Sequence, residues 1–62
     1  MVTYKVVLTE DDIKYESPPT QFLEEAKTIA VGFAGKRLTW TWFGDIAQAN
    51  EDSFYTIERS NG

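Results

Sequence analysis

Neither cysteine nor histidine occurs among the 62 residues, which excludes disulfides, thiol nucleophiles, thiolate and imidazole metal ligands, and the one side chain that titrates near neutrality. Most small-enzyme chemistry goes with them. Secreted domains of this length commonly carry disulfide staples, so the cytoplasm is the expected compartment. Long apolar runs are missing too. The longest are Val6–Leu8 and Ile29–Ala34, far short of the ~20 residues of a membrane span, and no signal-peptide pattern follows Met1, so a soluble chain is expected. Basic residues are scarce, with six Lys and Arg against ten Asp and Glu and a formal charge of -4. Nucleic-acid binding needs a clustered basic face, so the expected partner is another protein, with a basic surface the complementary one. No Gly-rich phosphate loop, nucleophile elbow or metal-ligand spacing is present, and the expectation is no cofactor, no metal and no enzymatic activity.

What is present is the composition of a folding chain, 42% hydrophobic and 15% aromatic. Residues 1–62 suffice for one domain, whose core yields ~3–5 kcal/mol of net stability. Val2, Tyr4, Val6 and Leu8 alternate with Thr3, Lys5, Val7 and Thr9, the period of a half-buried strand over 2–9. Glu10-Asp11-Asp12 reads as a solvated turn, and Ile13-Lys14-Tyr15-Glu16 as a short second strand, 13–16, with Ile13 and Tyr15 inward. Ser17-Pro18-Pro19 stops it. Phe22, Ala26, Ile29, Ala30 and Phe33 then fall on one face of a helix over 20–34, with Glu24 and Glu25 near its start and Gly35 suited to a left-handed cap. Gly32, inside that helix, reads as a close backbone approach or a loose last turn. Leu38, Trp40 and Trp42 mark a strand over 38–43, and Tyr55 and Ile57 another over 53–59. Between them the spacing of Asp45 and Gln48 predicts one helical turn in a long irregular loop, 43–53. The expected architecture is a two-layer α+β sandwich in ββαββ order, one helix packed across a four-stranded sheet.

Thr3-Tyr4-Lys5 followed by Val6-Val7-Leu8, Trp40-Thr41-Trp42, and Tyr55-Thr56-Ile57-Glu58 resemble the first and the last two strands of the immunoglobulin-binding domains of streptococcal protein G. The match covers roughly a quarter of the chain and rests on residue types that any small sheet favours. The resemblance implies a β-grasp, protein G-like fold and immunoglobulin binding. The helix lacks that family's charged, amide-rich binding face, and the final hairpin loop is longer.

Trp40 and Trp42 are expected in the core with Leu38, Tyr4, Val6, Leu8, Tyr55 and Ile57, which sends Val7, Phe43 and Phe54 to the uncovered sheet face. The expected contact surface is Phe43, Ile46 and Phe54 with the acids Asp45, Glu51 and Asp52, since loops tolerate insertion and often carry recognition. Its rival is the helix face Glu24, Glu25, Lys27, Thr28 and Val31, where contacts of the resembled family would map. The functional expectation is a protein-protein interaction module, either immunoglobulin-binding or a small acidic inhibitor or decoy of a basic cellular surface. A folding domain without a natural partner is the further alternative.

Overall fold

The computed structural model describes all residues, Met1–Gly62. Six elements follow one another: β1 (Val2–Glu10), β2 (Ile13–Glu16), α1 (Leu23–Ala34), β3 (Trp40–Phe43), β4 (Ile46–Ala49) and β5 (Tyr55–Asn61). The strands form one sheet in the order β2-β1-β5-β4-β3, every neighbouring pair antiparallel. Helix α1 packs on one face of it, chiefly against β1 and β5.

The sheet thus has five strands rather than four. The segment read as an irregular loop with a helical turn holds β4, which pairs with both β3 and β5. Gly44-Asp45 is the reason: two residues between apolar runs, with Gly44 at φ 62, make a tight hairpin turn of the hand that a twisted strand pair requires. Once Ile46 is set opposite Phe43, Ala47 and Ala49 alternate inward and are buried. The added strand also sets direction. Because β4 separates them, β3 and β5 run the same way, and β5 runs antiparallel to β1 from Val2 opposite Asn61 to Leu8 opposite Tyr55.

The helix begins at Leu23, not near residue 20. Thr20 is held in the sheet instead, exchanging both main-chain hydrogen bonds with Tyr4 at 2.7 and 2.8 Å, and its hydroxyl accepts from Phe22 N–H. At the other end Gly35 is left-handed, φ 70, and its N–H donates to Val31 O, as expected of the cap. Gly32 is not a close approach: a Cβ there would meet nothing within 4 Å.

The core between helix and sheet comprises Val6, Ala26, Ala30, Leu38, Ala47, Ala49, Tyr55 and Ile57, with Tyr4, Trp40 and Trp42 packed against it. The tryptophans therefore belong to it, Trp42 standing edge-on to Tyr4 with the Arg59 guanidinium 5.1 Å above its ring. Four side chains expected inward are exposed. Phe22 and Phe33 are exposed, because the helix seats on the stripe through Leu23, Ala26, Ala30 and Ala34, and Phe22, Ile29 and Phe33 fall along its flank. Ile13 and Tyr15 do alternate toward the helix side, yet they stay exposed, since α1 lies over β1 and β5 and does not reach the edge strand β2. Conversely Val7, on the opposite face, is 2% exposed. In the register of β2, β1 and β5, the pairs Lys5–Glu16 (2.6 Å) and Lys14–Glu58 (3.9 Å) span that face at its level and cover it.

Candidate interaction surface

Phe43, Asp45 and Ile46 cluster at the β3–β4 turn, whereas Glu51, Asp52 and Phe54 lie at the opposite end of that hairpin, in the β4–β5 loop. Ile46 is opposite Glu58, four residues along from Phe54, a displacement of ~13 Å at about 3.3 Å per residue. The structure does not bring the six together. Their carboxylates, moreover, are occupied by the scaffold. Asp45 accepts from Arg59 Nε and Nη2 at 3.1 and 3.0 Å, tying the β3–β4 turn to β5. Glu51 accepts from Thr39 N–H and from its hydroxyl, both at 2.7 Å, while the Asn50 amide N–H donates to the Thr39 hydroxyl at 2.9 Å. Those bonds hold the Glu51 carboxyl below the usual carboxylate range, the backbone donor contributing most. Asp52 Oδ1 caps Phe54 N–H at 3.0 Å and its other oxygen lies 3.7 Å from Lys36 Nζ. Asp45 fastens its turn to β5, while Glu51 and Asp52 fasten the β4–β5 loop to the segment between α1 and β3 and to itself.

On the helix face, Glu24, Glu25, Thr28 and Val31 are exposed and Lys27 is half-buried. Lys27 Nζ lies 3.6 Å from Glu24 Oε1 one turn earlier, and the Thr28 hydroxyl donates back to Glu24 O at 2.9 Å. The face is polar and internally paired, with only Val31 offering apolar area.

A third surface escapes the sequence reading. Between α1 and β2 runs an apolar groove of about 590 Å³, its floor Val6 and Leu8, its walls Tyr15 and Pro18 on one side and Ile29 and Phe33 on the other. Phe33 is 67% and Tyr15 57% exposed, and Ile13 continues the wall toward the β1–β2 turn. At that turn stand Glu10, Asp11 and Asp12, none in an ion pair, and the last turn of α1 carries no base to offset its C-terminal carbonyls. Unlike the acids of the β4–β5 loop, this negative charge is uncompensated. The groove exists because a helix about 10 Å wide covers roughly two strands spaced ~4.8 Å apart. On the β3–β4 side the tryptophans fill the space, but β2 has nothing above it. A sequence signal for this was available: a four-residue outer strand with two large apolar residues lies beyond the reach of a single helix.

No helix is long and apolar enough to cross a membrane. Compared with models of protein families, with curated proteins and with solved structures, the chain matches none.

Proposed function

We propose that the chain is a non-enzymatic protein-interaction module whose contact surface is the flank formed by β2 and the groove beside it. The observation that carries this reading is the apolar wall of Ile13, Tyr15 and Phe33, exposed beside half-buried Ile29 in a domain too small to spend large side chains without use. A groove lined by aromatic and aliphatic side chains beside a free strand edge suits a peptide segment or strand better than a small polar substrate. Phe33→Ser and Tyr15→Ser, which remove exposed side chains and leave the buried core intact, should retain the fold and lose any protein that the immobilised chain captures, whereas Phe43→Ser should retain it. Capture indifferent to Phe33 and Tyr15 and abolished by Phe43→Ser, or by Lys27→Glu on the helix, moves the surface elsewhere.

The unpaired acids Glu10, Asp11 and Asp12 favour a second reading, a small acidic inhibitor or decoy that engages a basic surface. Its mark is retention that weakens steeply with added salt, whereas apolar burial in the groove persists. Immunoglobulin binding, the function implied by the resemblance to protein G, draws on the helix face; retention on an antibody column that Val31→Glu abolishes and Phe33→Ser spares is its test.

A further inference from the structure

In the β1–β2 hairpin, hydrogen-bonded and non-bonded residue pairs alternate. Ser17 N–H donates to Val6 O at 2.8 Å, and the two-residue turn makes Glu10 and Ile13 a bonded pair. Ile13, Tyr15 and Ser17 therefore aim their main-chain groups at β1. Lys14 and Glu16 aim theirs away, leaving two N–H and two C=O groups on the open edge of the sheet. Pro18 and Pro19, which have no N–H, end the edge.

We propose that this edge pairs with the β2 of a second copy of the chain, antiparallel about a twofold axis through Tyr15, joining the two five-stranded sheets into one. This rests on the reading of the β2 flank as a contact surface and names its occupant. The choice of a second copy follows from the charges. With Tyr15 opposite the partner's Tyr15, Lys14 stands directly across from the partner's Glu16 and Glu16 from the partner's Lys14, and all four open main-chain groups find partners. Shifting the axis to Lys14 or to Glu16 sets like charges face to face and leaves main-chain groups unpaired. Lys14 and Glu16 already lie in the ion pairs with Glu58 and Lys5, so pairing joins the two sets into one alternating network across both copies. On the helix side the two Tyr15 rings meet in a non-bonded pair, where side chains approach closest, and bury the apolar wall that a single copy leaves open. The acids at residues 10–12 of the two copies lie at opposite ends of the joint and do not repel. The other open edge, β3, alternates Trp and Thr and offers no opposite charges to pair.

Sedimentation of the purified chain over a concentration series tests this. The expected result is reversible dimerisation, weakened at least about 30-fold by Lys14→Pro, which deletes two main-chain hydrogen bonds and both Lys14–Glu16 charge pairs per dimer and, within the chain, only the exposed Lys14–Glu58 pair. Lys14→Glu and Glu16→Lys should each be monomeric alone and form a heterodimer when mixed, because each cation then faces an anion again; circular dichroism of the separate variants checks that they fold. A wild-type chain that stays monomeric to about 1 mM, higher oligomers, dimers untouched by Lys14→Pro, or folded variants that fail to pair on mixing each overturn the proposal. If the chain is monomeric while Phe33→Ser still abolishes capture of another protein, the dimer falls and the interaction module stands.

Discussion

Glu51 is an exposed carboxylate with both oxygens engaged by Thr39, and its titration reports on the loop it anchors. Folding lowers its pKa below the ordinary 4.5 through the Thr39 backbone and hydroxyl donors, and that of Glu16 through the hydrogen bond and charge of Lys5. A lowered folded-state pKa means that the unfolded chain takes up protons first. The stability from both groups is therefore complete above about pH 4.5 and is lost as pH falls through their folded values. Urea unfolding at pH 7 and pH 3 should show this drop, and Glu51→Gln should shrink it; an equal drop in the variant removes Glu51 from the account. Lys5 is shifted upward, first by its hydrogen bond to Glu16, so its share is complete below 10.5 and fades above it. At the β1–β2 turn, Asp11 and Asp12 both adopt left-handed backbone, φ 50 and 66, a conformation that costs a residue with a Cβ on the order of 1 kcal/mol. Asp12→Gly should raise stability by ~0.5–1 kcal/mol in urea titration.

Among the elements, α1 and β4 departed most from expectation. Phe22, Ile29 and Phe33 share a helical side with Ala26, and nothing in a 3.6-residue period says which part of a broad apolar arc meets the sheet. Ala26 and Ala30 decide it, since two small residues let the helix axis approach the strands and turn the phenylalanines to the flank. A Cβ at Gly32 would meet no atom from another part of the fold within 4 Å, so Gly32→Ala should stabilise the domain by about 0.5–1 kcal/mol, read as a higher thermal midpoint. A loss of stability would reveal a constraint there. In β4, Ile46-Ala47-Gln48-Ala49 has weak strand propensity, and the Asp45–Gln48 spacing favours a helical turn as readily. Pairing on both sides overrides it. Phe43 projects from the adjacent β3 and is 67% exposed; Phe43→Ser should therefore leave the urea midpoint nearly unchanged, within about 0.5 kcal/mol.

For the molecule as a whole, nine of 62 residues are buried and four of those are alanine, so stability is concentrated in few large side chains. Ile57, fully buried at the centre of β5, is the largest with less than 2% exposure. Ile57→Ala should cost ~2–5 kcal/mol, comparable with the ~3–5 kcal/mol margin of a domain this size. Collapse of the dispersed amide NMR spectrum at 25 °C is the expected outcome, and a well-folded variant would show a larger margin. The same economy of core explains the groove, because one short helix cannot cover five strands.

By itself the sequence determined the strands β1 and β2, the presence of one helix with its Gly35 cap, the inward tryptophans and the absence of cysteine and histidine side chains, because alternation, helical spacing, turn residues and composition act over a few neighbours. Tertiary structure decided what depends on distant partners. It made β4 a strand by placing β3 and β5 on either side, and it engaged Asp45, Glu51 and Asp52 with Arg59, Thr39 and Lys36, residues remote along the chain. It also left Tyr15 and Phe33 uncovered, since burial is set by where the helix comes to lie and not by the hydrophobicity of the residue.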